Sequence, residues 1–141
     1  MAAAAQYTIL THMQKENKTV LIIEDEQSLL GALKEKFTSE GFSVLTAENG
    51  EQGLAEAIKH EPDIILLDII LPKMDGLSML NKLRHDGWAK DTPVFILTNV
   101  DDREKMATAV DNMVQGYFIK SDQKLEDIVA AVRQKLNSKN Q

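Results

Sequence analysis

Five times between Thr19 and Asn137 the chain passes from a short apolar, β-branched run through a turn into a stretch whose apolar residues recur at helical spacing. That alternation constrains the fold more than any other feature, because strand, helix and strand in succession demand a crossover, and crossovers build parallel sheets. The first unit is the run Thr19–Ile23 followed by Leu30, Leu33 and Phe37, closed by Gly41. The second is residues 42–46, an Asn49-Gly50 turn, and a helix carrying Leu54, Ala57 and Ile58 that stops at Pro62. The third strand, residues 64–67, is apolar on both faces, as expected of a central parallel strand covered by helices on each side. It ends at Asp68, and a loop through Pro72 and Gly76 leads to a helix with Leu77, Leu80 and Leu83. Residues 93–97 form the fourth strand, and a helix from about Asp102 turns Met106, Ala109, Val110 and Met113 inward. Residues 117–119 make a short fifth strand, and Leu125, Ile128, Val129, Val132 and Leu136 give the last helix its apolar stripe.

The expected architecture is α/β: a five-stranded parallel, doubly wound, flavodoxin-like sheet with helices on both faces. Strand order 2-1-3-4-5 fits a central third strand, and is taken from known doubly wound sheets. In such sheets ligands bind beyond the carboxyl ends of the strands, where the order reverses. A chain of 141 residues suits one domain, expected at residues 18–137 with a tail at 138–141. Residues 1–17 are low in complexity, with an Ala run and a His12-Met13 junction, and read as an expression leader or a disordered arm.

Composition narrows the function classes. With no cysteine there is no disulfide framework, thiolate metal site or thiol nucleophile, which suits a reducing compartment, and the cytoplasm is the expected location. The net charge is −6 and no basic stripe marks a nucleic-acid binder. No apolar run approaches the roughly 20 residues that cross a bilayer.

The residues just past the strands are Glu24 and Asp25 after the first, Asp68 after the third, Thr98 after the fourth and Lys120 after the fifth. All face one crevice. Three adjacent carboxylates raise one another's pKa unless a cation neutralises them. A ligand set of oxygens alone favours magnesium, with manganese as an alternative, over zinc. Singly, each residue has a simpler reading: Glu24, Asp25 and Glu26 as acids at a helix N-terminus, Asp68 as a loop acid, Thr98 as a helix cap, Lys120 as a solvated strand end. Their convergence at one sheet edge favours a site.

The strings Val-Leu-Ile-Ile-Glu24-Asp25-Glu26, Asp68-Ile-Ile-Leu-Pro72-Lys-Met-Asp-Gly76, Phe-Ile-Leu-Thr98 and Gly-Tyr117-Phe-Ile-Lys120 resemble the motifs of CheY-like receiver domains of two-component response regulators. The resemblance covers residues 19–137 and needs all its elements in order. It implies a phosphorelay switch in which Asp68 accepts a phosphoryl group. Glu24, Asp25, Asp68 and the backbone carbonyl of Ile70 would hold magnesium, Thr98 and Lys120 would bind the phosphoryl oxygens, and Tyr117 would be the rotating switch aromatic. It further implies a sensor histidine kinase or phosphotransfer protein as donor. An output partner, or a second copy, would bind the face made by the fourth helix, fifth strand and last helix.

The chain departs from the family pattern in two places near the site. Ser121 follows Lys120 where the family usually has a proline in a cis peptide; a cis non-proline bond costs about 2.5–4 kcal/mol, so a trans peptide is expected. Asn99 stands where a small residue usually follows the threonine, narrowing the approach. Ile70 and Val100 are apolar and align no water for attack on an acyl phosphate, so slow spontaneous dephosphorylation is expected. Trp88, in the loop before the fourth strand, reads as a half-buried anchor remote from Asp68.

Other functions on the same fold make distinct demands. A flavodoxin-like cofactor binder needs a phosphate loop rich in Gly, Ser or Thr, whereas Glu24-Asp25-Glu26 repels a flavin phosphate. A metal-dependent phosphatase with Asp68 as nucleophile lacks a general acid two residues on, where Ile70 stands. A degenerate receiver acting as a scaffold would have lost key residue types, and all are present.

Overall fold

The computed structural model describes residues 18–99, 114–121 and 123–139. Five parallel strands, β1 (Thr19–Ile23), β2 (Ser43–Ala47), β3 (Ile64–Asp68), β4 (Val94–Thr98) and β5 (Gly116–Ile119), form one sheet in the order β2-β1-β3-β4-β5. This is the expected order, and it puts β1 and β3 at the centre with the order reversing between them. Around the sheet lie α1 (Gln27–Ser39), α2 (Gly50–His60), α3 (Gly76–Arg84), a 3-10 turn (Trp88–Asp91) and α4 (Leu125–Lys139). The helix expected from Asp102, with Met106, Ala109, Val110 and Met113, falls outside the described residues. The last helix runs two residues past the expected boundary at 137.

Alternate residues of a strand point to opposite faces, so each central strand feeds two cores. Leu21, Ile23, Ile65 and Leu67 pack with Ala57 of α2 and Met79, Leu80 and Leu83 of α3. Val20, Ile22, Ile64 and Leu66 pack with Leu30, Leu33 and Phe37 of α1 and Ile128, Val129, Val132 and Leu136 of α4. The second core is closed at its rim by Arg133. Its guanidinium lies 5.6 Å over the Phe42 ring, donates to the Glu40 carbonyl at 2.6 Å and pairs with the Glu40 carboxylate at 3.0 Å.

One local expectation is refined and one corrected. The Asn49-Gly50 turn leads into α2, with Gly50 its first residue: Asn49 Oδ1 accepts the Gln52 amide at 2.7 Å, an N-cap that organises the first helical turn. Ile58, expected inward, is 47% exposed, because the buried face of α2 is Gly50, Gly53 and Ala57, which rotates Ile58 outward. Strand limits also shift by a residue: β2 runs 43–47, β4 runs 94–98, β5 starts at Gly116, and β3 includes Asp68.

Candidate functional site

Strand register delivers the polar residues to one edge. Asp68, the last residue of β3, lies between Ile23 at the end of β1 and Thr98 at the end of β4. Glu24 follows β1 directly and is fully buried, its amide donating to the Ala47 carbonyl of β2 at 3.0 Å. Lys120 follows β5, and its amide donates to the Thr98 carbonyl at 2.8 Å, extending the β4–β5 ladder by one bond.

Burial and charge then define the chemistry. Asp68 is only 4% exposed, and both its oxygens are engaged: Oδ1 accepts the Ile70 amide at 3.1 Å and Oδ2 accepts the Lys120 ammonium at 2.9 Å. The same ammonium touches Glu24 Oε1 in an ion pair. Glu24 Oε2 accepts the Glu26 amide at 3.1 Å, and Oε1 is held by the Lys120 ammonium. Burial is the main force pushing the Glu24 carboxyl up to about 7, with the Asp68 charge adding to it and Lys120 and the Glu26 amide opposing it. Burial alone would lower the Lys120 pKa, but the Glu24 and Asp68 carboxylates outweigh it and the pKa is raised.

Glu24, Asp25 and Asp68 each offer a carboxylate oxygen, all within 4.8 Å of one another, with Asp25 exposed at the mouth. Three carboxylates facing one ammonium leave a charge deficit of the size a divalent cation supplies, and the donors are all hard oxygens.

The sequence-derived residues thus fall into two groups. Glu24, Asp25, Asp68 and Lys120 are in one cluster, with the buried Thr98 beside them at the end of β4. Ile70 contributes its amide to Asp68 while its side chain is 51% exposed. Tyr117 stands apart: it pairs in register with Ile96, and its side chain is 53% exposed on the edge strand. The Lys120-Ser121 peptide is trans, as expected. Asn99 is exposed past β4, and Val100 lies outside the described residues. Trp88 opens a 3-10 turn.

Two features of the site were not evident from the sequence. One is the double engagement of Lys120, for which the only sequence signal is the excess of acids over bases at the strand ends. The other is how closely the loop after Asp68 returns to the acid. A Cβ on Gly76 would come within 2.2 Å of the Asp68 carbonyl oxygen, and the Gly76 amide donates to the Ile69 carbonyl at 2.8 Å. Glycine is needed there because the start of α3 lies against the backbone of the acid itself.

A family model for the response regulator receiver domain matches residues 20–133. The chain belongs to this family. Receiver domains are signalling switches rather than classical enzymes, and they interact with histidine kinases or phosphotransfer proteins. The response regulator ArlR of Staphylococcus aureus is 33% identical over 114 residues, covering 81% of this chain and 50% of ArlR. The chain therefore spans about half the length of the curated relatives it matches. Among solved structures, the chemotaxis protein CheY4 of Vibrio cholerae is 25% identical with a TM-score of 0.78, covering 84% of this chain and 98% of that one. A two-component response regulator from Clostridium difficile is 26% identical with a TM-score of 0.81, covering 89% and 100%. A chain of the CheX-CheY-BeF3-Mg complex of Borrelia burgdorferi is 26% identical with a TM-score of 0.75, covering 83% and 87%. No helix among the described residues of this receiver domain is long and apolar enough to cross a membrane.

Proposed function

We propose that this receiver domain accepts a phosphoryl group on Asp68 in a magnesium-dependent reaction and changes its affinity for a partner as a result. The observation that carries the reading is the Lys120 ammonium 2.9 Å from Asp68 Oδ2, inside a cluster of carboxylates placed by the strand ends. An Asp68 oxygen attacks the phosphorus of the donor, a bond from oxygen to phosphorus forms, and the bond to the donor's histidine nitrogen or acyl oxygen breaks with its electron pair leaving on the donor. The magnesium ion, when held by Glu24, Asp25, Asp68 and the Ile70 carbonyl, lowers the repulsion between an anionic nucleophile and an anionic phosphoryl group. Lys120 supplies a point charge for a phosphoryl oxygen, and the Thr98 hydroxyl a hydrogen bond for another.

The response follows from the same residues. Drawing Thr98 toward the phosphoryl group leaves room into which Tyr117, now at the surface, turns, so a charge added at Asp68 alters the β5 edge. That edge, with the fourth helix of the sequence pattern and α4, is the proposed surface for an output partner or a second copy. The phosphoryl donor is a sensor histidine kinase or phosphotransfer protein of the cytoplasm, and the similar chain in a complex containing BeF3 and Mg supports the choice of ligands.

Incubation with a small acyl-phosphate donor and magnesium, followed by intact-mass measurement, tests the proposal. One phosphoryl group gained by the wild type and none by Asp68→Ala is the expected result. Equal gain by both overturns it.

A further inference from the structure

The loop between β3 and α3 carries the Ile70 amide that bonds Asp68, and Gly50 in α2 lies against its far side. A Cβ built on Gly50 would fall 1.9 Å from the Met74 carbonyl oxygen and 2.7 Å from its carbon. These are backbone atoms, so no side-chain rotation relieves the contact. Either α2 or the loop must yield if residue 50 gains a side chain.

The loop is the softer partner. Helix α2 is held by the Asn49 cap on Gln52, by buried Ala57, and by Gly53, whose added Cβ would meet Ile23 Cδ1 at 2.5 Å. In the loop, Pro72, Lys73 and Asp75 are exposed, and Lys73 sits in the left-handed region at φ 64°. The loop is also a closed ring, because the Gly76 amide donates to the Ile69 carbonyl at 2.8 Å while Asp75 caps α3 through the Ser78 amide at 2.9 Å. A displacement forced at Met74 is therefore carried round to Ile70 and Asp68 rather than absorbed between them.

We propose that Gly50 is a positioning residue for the phosphoryl-acceptor loop, letting the α2 N-terminus abut the Met74 backbone and so setting where Ile70 stands relative to Asp68. The inference rests on the proposed magnesium site, since that is what the placement of Ile70 serves. Ligand supports of this kind alter metal affinity by about 10–100-fold when removed.

The test compares magnesium affinity by calorimetric titration, and stability by urea unfolding, in wild type, Gly50→Ala and Gly53→Ala. Both variants add a methyl to the same face of α2, but Gly53 meets the end of a flexible side chain and Gly50 meets the loop. The expected result is a rise in the magnesium Kd of about tenfold for Gly50→Ala and little change for Gly53→Ala, whatever each loses in stability. A folded Gly50→Ala that binds magnesium as tightly as wild type, or an equal loss in Gly53→Ala, overturns the proposal. A second measurement needs no variant: in wild-type protein titrated with magnesium, the amide resonances of Gly50 and Met74 should shift together with that of Ile70. A Gly50 resonance that stays still while Ile70 moves overturns it equally. Wild-type protein that binds no magnesium would instead sink the metal site itself, a result separate from either.

Discussion

Lys120 holds Asp68 at 2.9 Å with the same ammonium that touches Glu24, so one cation serves two buried carboxylates. Lys120 is thus a structural counter-charge as well as a proposed phosphoryl ligand.

Replacing Lys120 with Met should remove both roles. Breaking a buried pair by deleting one partner costs roughly 3 kcal/mol, because the remaining charge stays in the interior. Urea unfolding at neutral pH should show that loss in the metal-free protein and a smaller one in excess magnesium, which would supply the missing positive charge. Stability equal to wild type in chelator would mean that Glu24 and Asp68 do not depend on the ammonium.

Glu24 gives the site a pH dependence opposite to that of an ordinary surface carboxylate. Its folded pKa, pushed up to about 7 from 4.5, makes its contribution to stability fully present below pH 4.5 and lost as pH rises through about 7. In chelator, wild type should therefore lose more stability than Glu24→Gln between about pH 5 and about pH 8. Magnesium competes with the same proton, so its affinity for wild type should rise over that interval. A flat magnesium affinity across it would contradict the buried position of Glu24.

Gly31 provides a stability prediction away from the site. It lies inside α1, is exposed, and an added Cβ would meet nothing within 4 Å. Gly31→Ala should stabilise the domain by about 1 kcal/mol, measured by the shift in unfolding midpoint. No gain would show that the backbone of α1 departs from regular helix there.

Most of the fold was legible because apolar runs and helical spacing alternate without interruption, and the cluster was legible because polar residues end four of those runs. What escaped depends on contacts between distant backbones. Gly50 and Met74 are 24 positions apart in the sequence, and an Asn-Gly pair is a turn signal in most settings, so only the Asn49 cap and the Met74 contact reveal its place in α2. Ile58 was misplaced for a related reason: hydrophobic spacing weighs side chains, and the buried stripe of α2 is built on two glycines and an alanine.

The residue two beyond the acceptor should set how long the phosphoryl group lasts. Ile70 is 51% exposed at the mouth of the site and cannot hydrogen-bond a water for in-line attack. Ile70→Asn should shorten the phosphorylated lifetime several-fold, read as loss of phosphoryl mass after donor removal. An unchanged decay would show that water is aligned by other groups.

The central claim is that Asp68 forms an acyl phosphate with the aid of a divalent ion, and borohydride trapping tests it at the level of the residue. Reduction of an aspartyl phosphate leaves homoserine, which peptide mass analysis locates. After treatment with a small acyl-phosphate donor, homoserine is predicted at position 68 in the presence of magnesium and at no position in excess chelator. Homoserine at another residue, or at position 68 to the same extent in chelator, would contradict the account.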